Sequence, residues 1–129
     1  MNKIIVEVSV GELLDKISIL EIKQEKIKDQ EKLKFINLEH KILKDLLNQN
    51  VKTDEKLEKL FKSLKDINAK LWVIEDDKRQ CEKDKDFGEK FIKLSRDVHF
   101  LNDDRAKIKL EMNNHTGSKI KEIKEYTSY

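Results

Sequence analysis

Apolar residues recur along most of this chain at alternating spacings of three and four, the signature of helices that each bury one stripe. The first stripe runs Leu13, Ile17, Leu20, Gln24 and Ile27, then resumes as Phe35, Leu38, Ile42 and Leu46. Asp29, Gln30, Glu31 and Lys32 dilute it without a breaker, which predicts one helix over 9–48, kinked near 29–32. A heptad seam follows at Leu57, Leu60, Leu64, Ile67, Leu71, Ile74, Lys78 and Cys81, predicting a helix over 54–83. A third seam, Phe91, Leu94, Val98, Leu101, Arg105, Ile108 and Met112, predicts a helix over 87–113.

Signals at the helix ends fit these stripes. Ser9 with Glu12 has capping-box spacing, as does Asp86 with Glu89, and Thr53 or Asp54 can cap the second helix. Gly117 suits the left-handed turn that ends the third, and Ser118 is expected to cap a short helix over 118–126. Residues 3–8 partly alternate and are rich in β-branched side chains. They read as strand-like, to be paired with the C-terminal tail, paired with a second subunit, or laid extended over the helices.

Two tight turns make consecutive helices antiparallel, so the sequence predicts an all-α fold. Its architecture is an antiparallel up-down-up bundle of three long helices, with an extended N-terminal segment and a short C-terminal helix, in one domain spanning 1–129. Facing residue numbers then add to roughly 102 and 170 across the two hairpins. Lys78 is placed beside Gln24, and Arg105 beside Leu64. Residues 9–17 overhang the second helix, which would expose Leu13, Leu14 and Ile17 and makes a homodimer the expected state.

Composition supports helices: charged residues form 42% of 129 residues, proline is absent and there are three glycines, too few for a turn-rich β fold. The 28 basic and 26 acidic residues nearly cancel and are interspersed, unlike a nucleic-acid-binding face. Even Lys119, Lys121 and Lys124 are interrupted by Glu122 and Glu125. One cysteine, Cys81, excludes an intrachain disulfide and reads as a small buried hydrophobe. No apolar run approaches a membrane span, and the N-terminus lacks the features of a signal peptide, so the expected location is cytoplasmic.

Candidate chemistry lies where polar residues interrupt the seams: Gln24, Glu75, Lys78 and Arg105. Arginine is used only at Arg79, Arg96 and Arg105 in a chain with 25 lysines, and its planar fork suits a carboxylate or phosphate. For Arg105 the structural alternative is an ion pair with Glu39 or with an acid of a second subunit. Glu75 and Arg79 have the spacing of an in-helix pair. The carboxylate pairs Glu12 with Asp15, Glu21 with Glu25, and Glu75 with Asp76 bear a weak likeness to helical nucleotide pyrophosphohydrolases, whose dense acidic repeat is absent here. No metal is assigned, and a divalent cation stays an alternative. His40, His99 and His115 lack metal-ligand spacing, and Trp72 reads as a packing anchor.

The blocks VSVGELLDKISILEIK (8–23), LWVIEDDKR (71–79) and DFGEKFIKLSRDVHFLNDDRAKIK (86–109) resemble a bacterial domain-of-unknown-function family, DUF6165. The resemblance covers most of the chain and implies small helical proteins often encoded near cell-surface polysaccharide genes, without an activity. Its matched positions are Gly11, Glu12, Asp15, Lys16, Glu21, Lys23, Trp72, Glu75, Asp76, Arg79, Phe87, Gly88, Arg96, Asn102, Asp103, Arg105 and Lys109. The chain departs from the pattern at Lys78, Ser95 and His99. The ligand-binding candidates are therefore Glu12, Asp15, Lys16, Glu21, Glu75, Asp76, Arg79, Arg96, Asn102 and Arg105.

Two functions follow as expectations. One is a dimeric helical interaction module with a protein partner in surface-glycan synthesis. The alternative is a small-ligand binding protein, or a metal-dependent nucleotide or nucleotide-sugar enzyme, with an interhelical pocket of Glu, Asp and Arg.

Overall fold

A computed structural model describes residues 2–129 as four helices, α1 (Val10–Lys26), α2 (Gln30–Asn50), α3 (Glu55–Asp84) and α4 (Glu89–Thr116), with no strand among the described residues. The single helix expected over 9–48 is thus two. Ile27 turns extended at ψ 133°, and Asp29 caps α2 by accepting the amides of Glu31 and Lys32. Aspartate is a strong N-cap residue, so the polar stretch read as a kink is a helix start.

Because the chain doubles back there, α2 packs on α1. Gln24 bonds Asn37 and Glu21 bonds His40, which makes the two helices antiparallel. The face of α2 that packs is not the expected one. Ile36 and Leu47 are buried with Leu43 partly so, whereas Phe35, Leu38, Ile42 and Leu46 point to solvent. Both stripes have helical spacing, and α2 is apolar on two sides, so periodicity alone could not choose between them.

α3 runs parallel to α1: Leu14 lies with Leu57 and Phe61, while Ile19 and Ile22 lie with Asn68, Leu71 and Trp72. α4 returns antiparallel to both. Gly11 meets Asn113 and Asp15 meets Arg105 on α1, and His115 reaches Asp54 at the start of α3. The direction of α3 removes the expected pairing of Lys78 with Gln24; Lys78 lies 4.0 Å from Glu75 instead. The up-down-up arrangement of three helices is replaced by four helices in which α1 packs against each of the others.

The expected overhang is consequently the core. Leu14 and Ile17 are 3% and 0% exposed, covered within the chain, and cluster with Leu47, Leu57, Leu64 and Met112. The apolar surface that motivated a homodimer through residues 9–17 does not exist.

The first turn of α1 has its free amides matched individually. Val10 donates to the Ser118 hydroxyl, Gly11 to Asn113 Oδ1 at 2.7 Å, and Glu12 to the Ser9 hydroxyl at 3.0 Å. Ser9 is the expected cap, but Glu12 does not close the capping box; its carboxylate goes to Lys109. Ser118 is already engaged with Val10 and with the Ile120 carbonyl, so it caps no helix of its own, and the helix expected over 118–126 does not form. Residues 3–8 likewise form no strand, since no neighbouring strand offers a ladder, and Ile4, Ile5 and Val6 are exposed. Asp86 accepts the Gly88 amide rather than capping α4 directly, and Gly117 at φ 69° ends α4 in the left-handed region.

Candidate functional site

Asp15 stands on the α1 face that meets both α3 and α4, and it is 2% exposed. Arg105, the polar interruption in the α4 seam, grips it side-on: Nε donates to Oδ1 at 3.0 Å and Nη2 to Oδ2 at 2.5 Å. Asn68 of α3 donates to Asp15 Oδ1 and to the Ser18 hydroxyl, both at 2.8 Å. One turn along α4, the Lys109 ammonium lies 3.6 Å from Asp15, 2.9 Å from Glu12 and 2.7 Å from Glu122 of the C-terminal tail.

Burial pushes the Asp15 carboxyl up, but the hydrogen bonds from Arg105 and Asn68 and the charges of Arg105 and Lys109 outweigh it, leaving its pKa below 3.8. The carboxylate in turn raises Arg105. Burial lowers Lys109, yet hydrogen bonds to Glu122 and Glu12 and the charge of Asp15 raise it above 10.5 on balance. All three groups are held charged at neutral pH.

Arg105 also lines a groove of about 440 Å³ between the helices. One wall is apolar, made by Ile19, Ile22, Leu71 and Trp72. Asn68 and Arg105 stand at its polar side, and Glu75, Asp76 and Arg79 of α3 complete the lining. The Nε–Nη2 edge of the guanidinium is spent on Asp15, and Nη1 makes only a 3.4 Å contact to Asn102 Oδ1. Arg79 enters none of the ion pairs among the described residues; Glu75 approaches Lys78, not Arg79 as its spacing suggested.

Of the ten candidates, six gather here: Asp15, Asn102 and Arg105 at the buried network, and Glu75, Asp76 and Arg79 around the groove. Glu12 joins the network through Lys109, while Lys16 is exposed and reaches only Glu12, at 4.0 Å. Two lie elsewhere. Glu21 binds His40 and Lys65, tying α1 to α2 and α3, and Arg96 stacks its guanidinium over Phe100 at 5.8 Å. Glu39, the acid considered for Arg105, is on α2 and exposed.

The network's other members were not among the candidates. Lys109 was a matched position of the family resemblance, but its lysine type drew no notice in a lysine-rich chain. Asn68 sits four residues after Leu64 and three before Leu71, so it shares their face, and a polar residue there was a readable sign. Glu122 is visible only once the tail is seen to fold back. Trp72, read as a packing anchor, is part of the groove wall.

No three His, Cys, Asp or Glu side chains among the described residues come together in a way that could hold a metal ion. Glu12 and Asp15 are bridged by cations instead, and Glu21 with Glu25 shares Lys65. No described helix is long and apolar enough to cross a membrane.

No curated protein and no solved structure matches the chain. A family model described as a family of unknown function matches residues 4–129, so the network and the groove both lie within the matched span, and the chain belongs to that family, DUF6165.

Proposed function

We propose that the protein binds a small, uncharged, polyhydroxylated ligand in the groove between α1, α3 and α4. The observation that carries this reading is the groove's lining: an apolar wall with an indole, faced by two carboxylates and two guanidinium groups whose charges cancel. The apolar face of a sugar-like ring packs on Trp72, while its hydroxyls donate to Glu75 and Asp76 and accept from Arg79 and the free edge of Arg105. A phosphorylated ligand would meet no net positive charge, because Glu75 and Asp76 already offset the two guanidinium groups, and Asp15 draws further on Arg105. A saccharide also suits the surface-glycan setting that the family resemblance implies.

Trp72 is the only tryptophan, so its fluorescence reports on the groove directly. Titration with neutral mono- and oligosaccharides is expected to give a saturable change that Arg79→Ala weakens. Saturation by nucleotides instead would sink the charge argument, and a flat response to every probe would remove the groove as a binding site.

A second reading, an interaction module, rests on the exposed stripe Phe35, Leu38, Ile42 and Leu46. Contiguous apolar surface of this kind is a site of association, and a homodimer through α2 is its simplest form. Light scattering tests it: dimers that dissociate in Leu38→Glu support it, and a monomer at all concentrations refutes it.

A further inference from the structure

Beyond Ser118, which stays with α1, residues 119–129 run back along α4 in a way that marks a second binding surface, separate from the groove and independent of the reading above. Glu122 reaches Lys109, and Tyr129 binds Asp103 and sets its ring edge-on to Phe100, with centroids 5.5 Å apart. We propose that the α4 face from Arg96 to Lys109 is a docking surface for an extended acidic segment of a partner protein, and that the chain's own tail covers it as a removable strap.

The tail's hold is slight. It forms no helix, and Ile123, Tyr126 and Tyr129 are 78%, 71% and 79% exposed. Ordering a segment costs backbone entropy at every residue, and the contacts at Glu122 and Tyr129 offset it poorly. The surface beneath is better built. The Lys109 side chain is only 8% exposed, its stem packed and its ammonium aimed between Glu12 and Glu122. When Glu122 leaves, Lys109 loses its shortest contact, and a nearly buried cation is left with a donor to satisfy.

Charge says what occupant fits. The tail puts a carboxylate on Lys109 and a tyrosine beside Phe100, its hydroxyl donating to Asp103, but no carboxylate side chain on Arg96, which lines the surface there with His99. Arg96 enters none of the ion pairs among the described residues and rests on the Phe100 ring. A partner segment with one carboxylate for Lys109 and a second for Arg96 therefore gains a contact the tail lacks. Exchange of tails between two copies gains nothing, since the contacts are the same and the tethered tail has the higher effective concentration.

The test uses the full chain and two fluorescein-labelled peptides, one with the sequence of residues 118–129 and one with the same sequence carrying S128E. Both are expected to bind the Glu122→Gln chain about tenfold more tightly than the wild-type chain, whose own tail competes. The S128E peptide should bind the more tightly of the two, with that advantage lost in Arg96→Ala. Phe100→Ala, at a position 43% exposed where folding is not at stake, should weaken both. The proposal is overturned by failure of both peptides to bind the Glu122→Gln chain, by equal affinity for that chain and wild type, or by indifference to Arg96→Ala. Dimerisation of the Glu122→Gln chain in light scattering would make a second copy the occupant and overturn the partner segment.

Discussion

Gly11 and Lys109 meet backbone to backbone: a β-carbon at Gly11 would stand 2.6 Å from the Lys109 carbonyl oxygen and 3.0 Å from Asn113 Oδ1. The contact lets α1 approach α4 closely enough for Asn113 to take the Gly11 amide. Because the nearest obstacle is backbone, it cannot swing aside. Gly11→Ala is expected to destabilise the chain by about 1–3 kcal/mol in urea denaturation, despite alanine's better helix propensity. Unchanged or increased stability would show that the helices separate at little cost.

Asp15 is buried and Arg105 partly so, and the members of this pair cannot be removed singly. Asp15→Ala strands Arg105 and Lys109 without their shared carboxylate and should cost about 3–5 kcal/mol. The double change Asp15→Leu with Arg105→Met should recover much of that loss, because apolar replacement of a buried pair is often neutral or better. If the double variant is as unstable as Asp15→Ala, the network stabilises the fold in its own right.

Protonation gives this network a defined pH window. Asp15 has its pKa lowered in the folded state, so its contribution is present above about 3.8 and is lost as pH falls through the lower folded value. Lys109 has its pKa raised, so its contribution is present below about 10.5 and is lost as pH rises through the higher folded value. Melting temperature against pH should form a plateau between these limits. Asp15→Asn should flatten the acid limb, and an acid limb unchanged by it would place the titration elsewhere.

Lys85 is the only non-glycine residue with positive φ among those described, at 56°, where it ends α3 with its amide bonded to the carbonyls of Cys81 and Glu82. A side chain in the left-handed region costs about 1–2 kcal/mol, which glycine avoids at some entropic expense. Lys85→Gly should therefore raise stability by about 0.5–1 kcal/mol. A loss of stability would mean that the lysine side chain has a compensating role, such as its 3.7 Å contact with Glu82.

The helical class and most helix ends were legible, because capping residues act locally: Ser9, Asp54 and Gly117 end their helices as their chemistry dictates. Asp29 was equally local evidence, but the apolar stripe on either side of it argued for continuity. Once α2 folds back, its packing face, the direction of α3 and the burial of Leu14 and Ile17 all change together, so one misread cap altered the arrangement. At the candidate site, Asp15 was visible as one of a carboxylate pair with Glu12 and as a position matched by the family resemblance, and Arg105 as a charge in a seam. Their direct pairing needed the register between α1 and α4, which are joined through two intervening helices.

That separation has a consequence for how the chain is made. α1 is synthesised before the other three helices, yet it is capped by Asn113 and Ser118 and paired through Arg105, residues separated from their α1 partners by 90 to 108 positions. Leu13, Leu14 and Ile17 are therefore covered only in part, by Leu47, Leu57 and Leu64, until Met112 of α4 completes the cluster, and partial chains are the form most exposed to aggregation and proteolysis. Folding is gated by α4, so damage to that helix should be felt first at the start of α1.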